Sequence, residues 1–562
     1  MIESPNALYL TLLNPLDRSG FQSALSGLSV AGAGARYGDE KLRLALVTLQ
    51  AAGVLRMSHI NDEPIASWGV VLDSTRRPDG DTLEQYLKQL IALDEEGAGE
   101  EGCGQRLGCI RPDGIIAQAQ QASLRAWAEA GLLTDEVWRF DGHTVEYYGQ
   151  AKIGKTKHGT KEKSVPAIDR YTLYNGMGAL TDYFPTSVSY DEVLRQMVEK
   201  ANQALPEDQR IRKLCFDKEG WNAKTLLWLS QEKGIVPTVW MKNTAPNVEA
   251  LAQIPNHAFE PVGTEMTIGK SNKRQVLYIA DTRVSLPHLG DSRVVVLETH
   301  DQQRIGIYTS APTPAECGLD DNRCMSTDEV LEALRLQQHI ENSFKVDVHQ
   351  MGSDAIPTHK TLTVHQEVPY DLEQAQKQLA NAHRRLDKYT IRLDEVIPQL
   401  QDDERLDCHD LNQVTKRNQG LQQKAQRQIE TLTHECDTMQ VDDDGTTTRL
   451  LTSQVLDLRK FTLLTLFKTY ALVALNILAT QLGLEGAGPE RLRREFLSHG
   501  HRVEFDYQRR IATVYAHSFP RARTQQAYER LCGHLYDVPI TITRHGIPYQ
   551  VRFRWDGTGA KQ

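Results

Sequence analysis

The stretch from about 130 to 242 constrains the fold more than any other. Short β-rich runs alternate there with amphipathic helices: VWRFD (137–141), RYTLYN (170–175), KLCFD (213–217) and VPTVWM (236–241), with helical spacing over Tyr190–Ala204 and Ala223–Lys233. That alternation predicts an α/β layout. A strand-rich stretch follows, QVLYIAD (275–281), RVVVLETH (293–300) and RIGIYTS (304–310), with no strong helix among them, and it looks like an inserted β domain.

At 562 residues the chain has room for several domains. Residues 1–125 are expected to form a helical N-terminal domain, a candidate for DNA binding, with apolar residues at three- and four-residue spacing over Glu40–Val54 and Thr82–Leu93. Glu95–Gly104, EEGAGEEGCG, suits a solvated loop. The α/β core then covers 126–242, the β-rich insertion 243–320, and a closing helix 321–365, opened by the capping box of Ser326 and Glu329. From 366 to 445 the polar helical run places Leu379, Leu386, Leu393 and Leu400 seven residues apart, the pattern of a coiled-coil arm. Such an arm pairs helices, so a homodimer is expected. A C-terminal α+β domain fills 446–562 and contains Phe461–Leu484, long enough to span a bilayer. Lys468, Asn476 and Gln481 interrupt it, which favours a buried helix and no membrane partner.

The eight cysteines include no CxxC pair of the kind zinc sites use, and the N-terminus, MIESPNALYLTLLNPLDRSG, lacks the pattern of a secretory signal. A cytoplasmic protein is expected. No GxSxG elbow occurs.

Three carboxylates are the candidates for the chemistry. Asp141 and Asp217 each close a predicted strand, at the edge where α/β sheets bind ligands, although an Asp in that place also commonly starts a turn or caps a helix. On the capped helix, Glu341 falls on the same face as Val330, Leu334 and Phe344, inside the apolar stripe. A carboxylate so placed needs a basic partner or a metal; Lys345, one turn on, is the candidate partner. Oxygen ligands from two strand ends and one helix suit a pair of hard cations acting on phosphate.

The segments FDGHTVEYYG (140–149), CFDKEGWN (215–222) and HIENSFK (339–345) resemble the three acidic motifs of bacterial insertion-sequence DDE transposases. The likeness spans about 130–365, and the SDAIP segment (353–357) and coiled-coil arm resemble a bacterial group with such an arm after the core. It implies a ribonuclease-H-like mixed sheet flanked by helices, with a β-rich insertion between the second Asp and the Glu. It also implies Mg²⁺, with Mn²⁺ as substitute, held by Asp141, Asp217 and Glu341. The activity implied is nicking and strand transfer on double-stranded DNA at a mobile element's ends, in a bacterial cytoplasm, on the nucleoid when bound. Many relatives carry Tyr, Arg and Lys where this chain has Leu334, Gln337 and Val348. A nuclease that only hydrolyses DNA would use the same acids, and an inactive DNA-binding relative would lack the Tyr and Arg.

A net charge of −10 does not favour nucleic acid, so basic segments matter. Lys152, Lys155, Lys157, Lys161 and Lys163 cluster in KIGKTKHGTKEK, which reads as a basic loop beside Asp141 or a solvated hairpin tip; Arg335 and Lys345 are further candidates for DNA phosphate. Residues 485–562 hold thirteen Lys and Arg against eight Asp and Glu, densest at Arg491, Arg493, Arg494, Arg521 and Arg523. His143 is a candidate phosphate contact or a polar turn residue, and Trp221 a base-stacking platform or a core tryptophan.

Overall fold

The computed structural model describes residues 2–3, 7–30, 37–54, 71–72, 78–96, 110, 113–150, 153–157, 164–268, 274–317, 322–337, 361–369, 372–397, 408–437, 439–441, 447–484, 489–516, 519, 521–537, 540–544 and 547–555. The chain divides into two compact units, one of 1–97, 107–360 and 456–562, the other of 98–106 and 361–455.

The large unit is mixed α/β. Strands are numbered along the chain, from β1 (Ile2–Glu3). The central sheet contains β2 (Trp138–Glu146), β3 (Lys155–Lys157), β4 (Ser164–Asn175), β5 (Gly178–Pro185), β6 (Lys213–Phe216), β7 (Val236–Trp240), β8 (Glu260–Ile268), β9 (Arg274–Leu286), β10 (Gly290–Thr299) and β11 (Arg304–Thr309). Its order is β3-β4-β2-β6-β7-β11-β10-β9-β8, with β5 also on β4. β2, β6 and β7 run parallel, while β4 and β5 form an antiparallel meander with β2.

The parallel strands are buried runs, as strands covered on both faces must be: all four residues of β6 and the first four of β7 are buried. Tyr190–Ala204 starts where Ser189 accepts a hydrogen bond from the Glu192 amide, and it buries Val193, Leu194, Met197, Val198 and Ala201. The predicted Ala223–Lys233 helix is an α-turn, Ala223–Leu227, continued by a π-turn, Trp228–Glu232.

Two expectations change. The strand-rich stretch taken as an inserted β domain extends the central sheet, because β11 pairs with β7 from Ile307 and Trp240 to Thr309 and Thr238. Asp141 does not close its strand: β2 continues to Glu146 because β4 offers an unbroken antiparallel partner, Asp141 opposite Thr172.

The apolar helix Arg459–Gln481 is long enough to cross a membrane, yet most of its side chains are buried here. It packs in one hydrophobic cluster with the helices Asp39–Ala51, Gly80–Glu96 and Ile115–Glu129 and with the central sheet. Tyr183 on β5 shares a 2.7 Å hydrogen bond with Thr465 on that helix. A second sheet follows the order β1-β15-β16-β18-β17, where β15 is Gly500–Asp506, β16 Ile511–Ala516, β17 Thr541–Arg544 and β18 Ile547–Trp555.

In the small unit, β12 (Thr361–Pro369), β14 (Thr447–Leu456) and β13 (Met439–Val441) form a sheet. The helices Leu372–Ile391 and Cys408–Asp437 pack with Leu379, Ala382 and Leu386 against Ile429 and Leu432. Gln422 donates to Thr390 at 3.0 Å, so the two helices run antiparallel. The heptad leucines at 379 and 386 are therefore seated on a helix of the same chain; Leu400 lies outside the described residues.

Candidate active site

Sheet register brings the first two acids together. β2 pairs with β6 in parallel through Trp138 and Leu214, Arg139 and Cys215, and Phe140 and Phe216. The next residue on each strand is an aspartate, so Asp141 and Asp217 emerge side by side where the parallel ladder ends. Adjacent strands lie about 4.8 Å apart, close enough for two carboxylates to share ligands.

Each acid also serves the local backbone. Asp217 accepts a hydrogen bond from the Lys218 amide at 2.6 Å and caps the short turn Lys218–Gly220; Asp141 accepts from the Gly142 amide at 2.9 Å. The turn-capping alternative describes part of what these residues do. It leaves both carboxylates half-buried beside the C-terminal end of β6.

An aromatic floor lies beneath them. Phe140 stacks on Tyr171 at 5.5 Å between centroids, and Tyr190 meets both rings edge-on, at 5.3 and 5.7 Å. The glycines of the acidic motifs follow from this floor. A β-carbon on Gly142 would lie 2.7 Å from the Tyr171 ring, and one on Gly220 2.6 Å from the rings of Phe216 and Tyr190. The Tyr190 hydroxyl is buried with no hydrogen-bond partner among the described residues. Burial first, then the negative field of Asp141 and Asp217, holds it well above its ordinary pKa. Burial likewise raises the Cys215 thiol and the Asp169 carboxyl; Asp169 accepts from Thr144 at 2.9 Å and feels Glu219. Sequence reasoning missed Tyr171, Tyr190, Asp169 and Glu219 as neighbours of the acids, since no spacing links their elements.

The closing helix, described over 327–337, docks on the same strand end. Its capping box forms as expected: the Ser326 amide donates to Glu329 at 2.6 Å, and the Glu329 amide to the Ser326 hydroxyl at 3.2 Å. Arg293 fixes its start by donating to Asp281 and to the Met325 carbonyl, and Thr327 donates to Asp281. Val330, Ala333 and Leu334 bury against Cys215, Val236, Val295 and Ile307. Gln337, 6% exposed, donates to the Phe140 carbonyl at 3.0 Å, next to Asp141, while its own Oε1 is buried without a partner among the described residues. Leu334 and Gln337 are thus packing residues that seat this helix.

Glu341, Lys345, Lys152, Lys161 and Lys163 lie outside the described residues. Among the described residues no group of three His, Cys, Asp or Glu is arranged to hold a metal. Lys155 and Lys157 sit on β3, whose partners on β4 are Pro166 and Ser164. Thr172, opposite Asp141, lies six residue steps along β4 from Pro166, a distance of roughly 20 Å. Arg335 is exposed and paired with Glu332 at 2.6 Å. His143 lies on β2 opposite Arg170. Trp221 is partly buried, edge-on to Tyr308 at 5.8 Å. Arg493 donates to the Ala51 carbonyl, and Arg491, Arg494 and Arg521 pair with Glu495.

No protein-family description matches this chain, and no curated protein does. Among solved structures, a piggyBac transposase synaptic complex with hairpin DNA, determined by cryo-EM, aligns with 60% of this chain and 68% of its own at 10% identity and a TM-score of 0.34. A likeness at that level decides neither fold nor function.

Proposed function

We propose that this chain is a DDE-type DNA transposase with a ribonuclease-H-like core, acting by phosphoryl transfer at Asp141, Asp217 and Glu341. The observation that carries the reading is the register of β2 on β6, which brings Asp141 beside Asp217 where β6 ends. The donor set fits hard divalent cations: two half-buried carboxylates, with His143, two residues along β2, and the sealed Cys215 as the nitrogen and sulfur groups near them among the described residues. Magnesium, or manganese, would be held by Asp141 and Asp217, with Glu341 assigned as third ligand from the sequence. Such ions would supply Lewis-acid activation of the attacking oxygen and charge neutralisation at the leaving one. The protein's own work is positioning. The acids are fixed through backbone amides and an aromatic floor, and Gln337 ties the closing helix to the strand that bears Asp141.

The test uses purified protein and a labelled duplex carrying the element's own ends, in magnesium and then manganese, beside Asp217→Asn. Boundary nicking and joined strands from the parent alone support a transposase. Nicked but never joined strands identify a hydrolytic nuclease, and no cleavage by either protein supports an inactive DNA-binding relative.

A further inference from the structure

The outer face of the C-terminal sheet is unlike its inner face. Val503, Ala512, Val514, Ala516, Ile542, Tyr549, Val551 and Phe553 point inward and are buried. Alternation along each strand sends Arg502, Glu504, Thr513, Tyr515, Gln550, Arg552 and Arg554 to the other side, where all are partly or fully exposed or, for Arg502, carry a side chain 21% exposed.

Register aligns these residues into rows across three strands. Arg502 on β15 lies opposite Tyr515 on β16, which lies opposite Arg554 on β18. The next row is Glu504, Thr513 and Arg552. The Arg502 guanidinium covers the Tyr515 ring at 4.3 Å, and both Arg502 and the Tyr515 hydroxyl bind Glu504, at 3.1 Å each. This ties down one arginine and uses the one acid of the two rows. Arg552 and Arg554 have no acidic partner among the described residues. Arg509 and Arg510, in the β15–β16 turn, add positive charge at the border, set against Asp506.

We propose that this face binds the phosphate backbone of duplex DNA, with Arg552 and Arg554 as its main contacts. Charge complementarity names the partner: two unpaired guanidiniums on neighbouring rows of an open sheet, in a segment that is basic within an acidic chain, suit a polyanion. The Tyr515 ring is already covered by Arg502, so no base stacks on that side and the face reads charge rather than sequence. The proposal rests on the reading that the chain acts on DNA, but not on the carboxylate site.

The experiment measures binding of the full chain to an unrelated duplex by fluorescence anisotropy, without divalent metal, from 50 to 300 mM salt. Arg552→Gln/Arg554→Gln is compared with Arg18→Gln/Lys88→Gln, which removes two exposed charges from N-terminal helices. Each phosphate contact contributes about 0.9 to the slope of log affinity on log salt. The first pair is expected to flatten the slope by about 1.8 and to weaken binding by about 60-fold at 0.1 M, taking the loss as vanishing at 1 M. The second pair should leave the slope unchanged, and both should unfold at the parent's temperature. An unaltered slope in the first pair, an equal fall in both, or no salt-dependent binding by the parent overturns the proposal. A parent that binds DNA yet never nicks it refutes the catalytic reading and leaves this one standing.

Discussion

Replacing Gln337 tests whether the closing helix is held as described. In Gln337→Met the hydrogen bond to the Phe140 carbonyl disappears, and a buried acceptor that loses its partner costs about 1–3 kcal/mol. The same change removes Oε1, a buried acceptor with no partner among the described residues, and returns a cost of about 1–3 kcal/mol. Side-chain volume is nearly conserved, so the two effects offset and the net change in stability should stay within about 1.5 kcal/mol. Gln337→Ala also opens a void beside Leu334 and Ala333, and should cost about 2–4 kcal/mol. Urea unfolding at pH 7, followed by fluorescence and by circular dichroism, gives both values. If Met costs as much as Ala, the hydrogen bond dominates and Oε1 is satisfied after all. Metal titration of the Met variant then isolates positioning: weakened metal binding at near-parent stability is expected, and parent-like binding would refute a positioning role.

Asp217→Asn should reduce nicking by about a thousandfold, the effect of losing about 4 kcal/mol of charge stabilisation in the transition state. Magnesium at ten times its dissociation constant should stabilise the parent by about 1.4 kcal/mol and leave this variant unmoved, as read by thermal unfolding. Gly142→Ala and Gly220→Ala push a methyl into aromatic rings at 2.7 and 2.6 Å, so each should cost about 1–3 kcal/mol in chemical denaturation, whereas Gly131→Ala meets no neighbouring atom and is strained only by its positive φ. Asp169 has its folded pKa raised, chiefly by burial, so the native state holds the proton more tightly. Its ionisation lowers stability as pH climbs from the ordinary carboxylate value through the raised one. Asp169→Asn should therefore raise the unfolding temperature at pH 7, with the gain fading as pH falls to about 3.9; a loss at pH 7 would contradict this.

Much of the core was legible because local signals agreed with tertiary demands. Tyr190–Ala204 combines a serine cap with a clean apolar stripe, and KLCF and VPTVW are continuous apolar runs of the kind buried parallel strands require. β5 escaped notice because GALTDYFP carries Asp182 in its middle. That acid is buried only because Lys200 and Gln120, from two other elements, bind it at 2.8 and 2.9 Å. The Asp-Gly pair at 141–142 suggests a turn, and only the unbroken β4 partner keeps the strand going. Asp217 was legible as a residue just past a strand end, whereas Asp141 lies inside β2. Their aromatic floor was not legible, because Phe140, Tyr171 and Tyr190 meet only through the folded sheet and its covering helix. The lysines of 152–163 looked close to Asp141 in sequence, but the length of β4 carries Lys155 away from it.

The pairing of β1 with β15 joins Ile2 to Val503 and Glu3 to Arg502, and Arg459–Gln481 fills the centre of the N-terminal helices. A ribosome making this chain therefore releases residues 7–129 long before the helix that covers their apolar faces exists. At roughly 5–20 residues per second, that nascent segment waits tens of seconds for its partner. During synthesis it is a natural client for chaperones, and a product cut short before about residue 460 lacks the central helix needed to complete its core. Interrupted translation should then yield fragments that are degraded instead of folded partial proteins.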